Sequence, residues 1–174
     1  KLFRGWVEEI DKDAFEVFVY HLGTRQDEVT QSLALAADTY VNIQGLSAQV
    51  KRIREDELDV LVYPEVGMDG ATMALAALRL APIQCVSWGH PITTGLPTMD
   101  YFLTSDAMEP LESDESYSET MIRLPGLSIS YRRPDLPRLE RSREDFGLPQ
   151  ESVLYLSCQS LFKYLPANDD IWVQ

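Results

Sequence analysis

The 174 residues are 45% hydrophobic and 25% charged, the balance of an ordinary globular protein, and suffice for one packed domain and the start of another. With 28 acidic side chains against 15 basic ones, the formal net charge of −13 repels a polyanion and disfavours nucleic acid as a partner. No apolar stretch approaches the roughly 20 residues of a membrane helix and none reads as a signal peptide, so no membrane partner and a cytoplasmic location are expected.

The chain opens in a helical pattern, with Leu2, Phe3, Trp6, Val7 and Ile10 on one face and Glu8 and Glu9 on the other. Asp11-Lys12-Asp13 reads as a turn and not as a metal-binding Asp-x-Asp, because it precedes a strand instead of ending one. That strand is predicted over 15–22, with His21 a hydrogen-bonded residue at the edge of the core. Asp27 then caps a helix that carries Val29, Leu33, Ala36 and Ala37 on one face. A short strand over 39–43 is followed by a helix whose apolar stripe is Leu46, Val50 and Ile53. The next strand, 58–63, closes at Pro64. Residues 71–80 are apolar nearly all round and predict a helix buried or packed between layers. Three further strands are predicted over 82–88, 100–104 and 120–124.

Strands alternating with helices of about ten residues imply right-handed crossovers and a mostly parallel sheet, an α/β fold. Residues 131–148 interrupt the pattern with Pro134, Pro137 and a dense mixture of arginines and acids, and are read as a linker. Regular structure resumes in a strand over 153–157, and Asp169 or Asp170 is placed to cap a helix beginning Ile171-Trp172-Val173. A chain that begins and ends in helical patterns reads as part of something longer. Cys85 and Cys158 both fall in apolar runs and read as small buried hydrophobes in a reducing compartment, not as a disulfide or a metal site.

In open α/β sheets, ligands gather outside the carboxyl ends of the strands. Three loops qualify: 64–70, 89–95 and 159–163. The second is the richest. Gly89 and Gly95 permit close approach and positive φ, Thr93 and Thr94 bring hydroxyls suited to sugar or phosphate oxygens, and His90 is one of only two histidines. The competing reading is a tight turn whose histidine merely packs. Lys163 stands near an expected helix start, where a cation can meet a phosphate, and reads equally well as a solvated surface lysine. The acidic run Glu109, Glu112, Asp114, Glu115 and Glu119 is read as a solvated loop. The arginines at 132, 133, 138, 141 and 143 are interleaved with acids and prolines and make no basic patch. No Gly-x-Gly-x-x-Gly, Walker loop or Gly-x-Ser-x-Gly elbow is present, which disfavours a classical dehydrogenase, NTPase or hydrolase.

Several pieces together are specific: Leu58-Asp-Val-Leu-Val-Tyr-Pro-Glu-Val-Gly-Met-Asp, Leu78-Arg-Leu-Ala-Pro-Ile-Gln, Trp88-Gly-His-Pro, Thr94-Gly and Met99-Asp-Tyr. Ser116-Tyr-Ser-Glu-Thr, Arg123-Leu-Pro and Cys158-Gln-Ser-Leu-Phe-Lys-Tyr-Leu-Pro extend them in order. The chain thereby resembles the catalytic region of O-GlcNAc transferases, and more closely the bacterial tetratricopeptide-repeat proteins of the SPINDLY type. The resemblance implies a GT-B fold of two Rossmann-like domains facing across a cleft. Residues 1–130 are then the N-terminal catalytic lobe without its first strand, 131–148 the linker, and 149–174 the beginning of the C-terminal lobe that binds the nucleotide sugar.

The activity implied is inverting, metal-independent transfer of a sugar, GlcNAc from UDP-GlcNAc in the first instance, to Ser or Thr of a protein acceptor. No cofactor and no metal are implied. By resemblance, Lys163 is the lysine that contacts the donor phosphates and stabilises the departing nucleotide, and Gly89, His90 and Pro91 line the sugar pocket. Thr93, Thr94 and Gly95 continue that donor- or sugar-binding loop. The family's glutamine three residues before the lysine is replaced by Ser160, with Gln159 one position earlier. Two alternatives stand beside this expectation: a family member using GDP-fucose or UDP-glucose, and a non-catalytic sugar- or protein-binding module of the same fold. The 174 residues alone are expected not to turn over, because the resemblance places the first strand and most of the second lobe outside them.

Overall fold

A computed structural model describes residues 2–130 and 140–170. The chain divides into two compact units, Lys1–Arg133 and Pro134–Gln174. The first unit carries the regular structure: α1 (Arg4–Glu8), β1 (Phe18–His21), α2 (Glu28–Ala36), β2 (Thr39–Asn42), α3 (Leu46–Glu55), β3 (Val60–Tyr63), α4 (Gly70–Ala76), β4 (Ile83–Ser87), β5 (Tyr101–Ser105) and β6 (Thr120–Leu124). All strand pairing is parallel, in a two-stranded sheet β1-β2 and a four-stranded sheet β3-β4-β5-β6. The α/β alternation expected from hydrophobic periodicity is therefore present.

Local chemistry explains where the elements start and stop. Asp27 begins α2 by accepting hydrogen bonds from the amides of Val29 and Thr30, both at 3.0 Å, and the Thr30 hydroxyl accepts in return from the Asp27 amide. Asp69 does the same for α4 with the amides of Ala71 and Thr72. The helix predicted over 71–80 ends at Ala76. The reason lies in the Gln84 side chain, which takes the Leu80 amide at 3.0 Å and donates to the Leu78 carbonyl at 3.0 Å, so this stretch turns around Gln84 instead of continuing the helix. The strand predicted over 15–22 is trimmed to Phe18–His21, the residues for which β2 supplies ladder partners.

One face of the four-stranded sheet holds the core. Leu61 and Tyr63 of β3, Val86 of β4 and Phe102 of β5 pack there with Ile53, Leu75 and Met99. Phe102 is fully buried, which is worth roughly 1.5–3 kcal/mol relative to exposure. Tyr20 of β1 joins this cluster and donates its hydroxyl to Asp56 at 2.6 Å, while Arg52 pairs with the same carboxylate at 2.8 Å. The opposite face remains open over Val60 (47% exposed), Val62, Ile83 and Ile122. Parallel sheets in compact domains are covered on both faces.

The second unit departs from expectation. Residues 153–157 form no strand, and Val153, Tyr155 and Leu156 are exposed. A strand is stabilised by ladder partners and by packing on a neighbouring layer, and no described residue of this unit pairs with 153–157. Cys158, read as buried, is exposed for the same reason, whereas Cys85 is buried in β4. Three short 3₁₀ turns, Glu144–Phe146, Leu161–Lys163 and Pro166–Asn168, are the regular elements described here. The linker residues 131–139, Arg132, Arg133 and Arg138 among them, and the helix expected at Ile171-Trp172-Val173 lie outside the described residues.

Candidate functional site

The loops after β3 and β4 are neighbours because their strands pair in parallel register. They are also fastened to each other. The Gly89 amide donates to the Pro64 carbonyl at 3.1 Å. A Cβ at residue 89 would lie 2.4 Å from that carbonyl oxygen and 2.9 Å from Glu65 Cβ, so only glycine allows the two loops this close. The His90 ring lies over Gly67, where an added Cβ would meet the imidazole Cδ2 at 2.7 Å. Within the first loop, Glu65 accepts from the Met68 amide at 3.0 Å and from the Thr72 hydroxyl at 3.3 Å. Gly95 adopts the positive φ expected of it, +66°.

The threonine half of the loop is held elsewhere. Thr93 donates its hydroxyl to Glu119 Oε2 at 2.7 Å, the Thr94 amide donates to Glu119 Oε1 at 2.9 Å, and the Thr94 hydroxyl donates to that same oxygen. Ser118 contributes its hydroxyl at 3.2 Å. Glu119 is 5% exposed and immediately precedes β6. Burial pushes its carboxyl up, but the hydroxyls of Thr94 and Thr93 and the Thr94 amide prevail and hold it below the ordinary glutamate value. The solvated-loop reading of the acidic run fails at this residue. Its signal was position, at the start of a strand within Ser116-Tyr-Ser-Glu-Thr, and not composition.

Beyond the threonines the chain is anchored again. Gln84 is fully buried and donates to the Thr98 carbonyl at 2.8 Å. Asp100 accepts from the Gln84 amide at 2.8 Å and pairs with Arg79 at 2.5 Å, and that guanidinium first, then the Gln84 amide, holds its carboxyl below the usual range. The Leu78-to-Gln84 motif is thus a brace for the loop that follows β4. His21, by contrast, ends β1 and shares a 2.8 Å hydrogen bond with the Tyr40 hydroxyl, the structural role expected of it.

The remaining site candidates belong to the second unit. Lys163 is exposed at the end of the 3₁₀ turn Leu161–Lys163, where a helix start was expected, and its amide donates to the Ser160 carbonyl at 2.9 Å. Gln159 and Ser160 are exposed beside it, and the Tyr164 hydroxyl fastens this turn to the Ser157 carbonyl. Within the first unit the structure brings Gly89 and His90 together with Pro64–Gly67, and Thr93 and Thr94 together with Glu119; within the second, Gln159, Ser160 and Lys163 belong to one local turn. Among the described residues no cluster of three or more His, Cys, Asp or Glu side chains is arranged to hold a metal ion. No described helix is long and apolar enough to cross a membrane.

A parallel α/β sheet with braced loops beyond the ends of adjacent strands is the architecture of Rossmann-like ligand-binding lobes. Residues 2–129 match the model of glycosyl transferase family 41, and the chain belongs to that family. It is 27% identical over 171 residues to the probable UDP-N-acetylglucosamine–peptide N-acetylglucosaminyltransferase SEC of Arabidopsis thaliana, covering 93% of this chain and 18% of that protein. It is 30% identical over 170 residues to the similarly described SPINDLY of Eustoma exaltatum subsp. russellianum, covering 94% and 18%. Among solved structures, a mutant O-GlcNAc transferase of Thermobaculum terrenum superposes with a TM-score of 0.71 at 28% identity, over 78% of this chain and 26% of that one. The fold is accordingly the Rossmann-like one of a GT-B glycosyltransferase. The chain spans less than a fifth of the length of these two plant relatives.

Proposed function

We propose that this chain is part of an inverting, metal-independent protein O-glycosyltransferase that moves GlcNAc from UDP-GlcNAc to Ser or Thr hydroxyls. The observation that carries this reading is the doubly fastened loop Gly89–Gly95, standing beyond β4 in a chain of glycosyl transferase family 41. In this reading Gly89, His90 and Pro91 form the sugar-facing wall, and Thr93, Thr94 and Gly95 set the shape of that wall. Their hydroxyl protons are directed at Glu119, so the threonines act through loop geometry.

In the reaction, the acceptor oxygen bonds to the anomeric carbon from the face opposite the nucleotide. The bond from that carbon to the diphosphate oxygen breaks, its electron pair leaving with the nucleotide, and the acceptor hydroxyl passes its proton to water. Negative charge grows on the departing diphosphate. A lysine ammonium fixed beside it stabilises the transition state more than the ground state. We assign that role to Lys163, with Gln159 and Ser160 as further donor contacts. Nucleotide sugar and protein acceptor are the partners, no cofactor is required, and the cytoplasm is the expected compartment.

Two measurements on the full-length protein test the assignment. Calorimetric titration with UDP-GlcNAc, GDP-fucose and UDP-glucose is expected to show tightest binding of the first, and preference for another nucleotide sugar reassigns the donor. Lys163→Met is expected to abolish transfer with folding intact. Undiminished transfer by that variant overturns the role of Lys163, and donor binding without transfer by the native protein makes the domain a binding module.

A further inference from the structure

Glu119 lies outside every motif assigned to donor chemistry, yet it is the most heavily engaged buried carboxylate of the first unit. Its two oxygens receive three hydroxyls and one backbone amide from Thr93, Thr94 and Ser118. The Thr93 hydroxyl oxygen in turn accepts from the Ser118 amide at 3.1 Å and the Gly95 amide at 3.3 Å, so the cluster closes on itself. A surface carboxylate has no such company. A buried anion persists only where donors replace its lost water, and here three of the four donors come from Thr93 and Thr94, in a loop some 25 residues earlier in the chain.

The consequence for the loop is geometric. Gly89 is tied to Pro64 and Thr94 to Glu119, leaving the short stretch His90, Pro91, Ile92 and Thr93 between two fixed points. Pro91 has a ring-locked φ, and the Ile92 amide donates to the His90 carbonyl at 2.9 Å, which restricts the stretch further. Ile92 is left 57% exposed at the crest of this bridge. Without Glu119, that end of the stretch is held only by the weaker contacts of Thr93 with Ser118.

We propose that Glu119 is a positioning residue: by clamping Thr93 and Thr94 it fixes where His90, Pro91 and Ile92 stand, without itself touching the donor. This rests on the reading of that loop as the sugar-facing wall. Small displacements of positioning groups cost transfer heavily, on the order of 10²-fold for an ångström.

The test compares Glu119→Ala and Glu119→Gln in the full-length protein by two readouts. The first is amide hydrogen exchange over 89–96, which requires no activity. Glu119→Ala is expected to speed exchange at Thr94 and across 90–92 by about tenfold or more, and Glu119→Gln, which keeps an acceptor oxygen for the Thr94 amide, to restore most of the protection. The second readout is transfer kinetics with UDP-GlcNAc. Glu119→Ala is expected to lower kcat/KM about 10–100-fold, with a rise in donor KM at least as large as the fall in kcat, and Glu119→Gln to recover most of it. Unchanged exchange in Glu119→Ala overturns the clamp. Altered exchange with kcat/KM within twofold of native overturns the positioning role. If the native protein transfers no sugar from any of the three donors, the glycosyltransferase reading falls, and the exchange experiment still decides whether Glu119 holds the loop.

Discussion

Gly89→Ala isolates the contact that joins the loops after β3 and β4. The added methyl would sit 2.4 Å from the Pro64 carbonyl oxygen, 3.1 Å from its carbon and 2.9 Å from Glu65 Cβ. Two of these are backbone atoms, so no side-chain rotation relieves the clash. Forcing a methyl into a filled space costs about 1–3 kcal/mol, and parting the loops loses the 3.1 Å Gly89–Pro64 hydrogen bond, worth about 0.5–1.5 kcal/mol more. A total of about 2–4 kcal/mol follows, which lowers the melting temperature of a domain of this size on the order of 10 °C. Gly70→Ala is the control, because nothing lies within 4 Å of a Cβ there and the residue opens α4, where alanine is favoured. Thermal unfolding of the two variants beside the native protein makes the comparison. A Gly89→Ala midpoint equal to that of Gly70→Ala refutes the close approach of the loops.

Other consequences can be measured on the same protein. Gln84→Leu removes the partners of the Leu80 amide and of the Leu78 and Thr98 carbonyls at a fully buried position. It is expected to cost about 1–3 kcal/mol for the buried Leu80 amide alone, with a further loss at the part-buried Leu78 and Thr98 carbonyls, and urea unfolding reads it directly. The depressed Glu119 carboxyl links stability to acid. Its contribution is fully present above the ordinary glutamate value of about 4.3 and is lost as pH falls through the lower folded value, because the unfolded state binds the proton first. Unfolding curves between neutral pH and pH 3 are expected to converge for native and Glu119→Gln proteins at the acid end, and a constant gap contradicts the linkage.

Much of the fold was legible because its determinants are local. Asp27 before an apolar helical pattern, the β-branched run before Pro64 and the stripe Leu46-Val50-Ile53 each carry their instruction within one turn or one strand. The failures share a cause, which is dependence on partners distant in sequence. Residues 153–157 have the composition of a strand and no ladder partner among the described residues. The helix after Asp69 stops early because Gln84 captures its would-be last turn. Glu119 looks like any other member of an acidic run, and only the folded chain delivers Thr93 and Thr94 to it. The loop at Gly89 was legible, from topology and glycine spacing, as a place of close backbone approach. What was hidden is that its two halves are fastened to different parts of the lobe.

The strand order β3-β4-β5-β6 has a bearing on how the lobe is made. In this sheet β4, β5 and β6 each pair with the strand synthesised just before, so each new ladder finds its template already made. Glu119 arrives with the last strand, one residue ahead of Thr120. The loop after β4 is therefore translated early and tied down late, and a ribosome-stalled product ending before residue 119 carries that loop without its tie to Glu119.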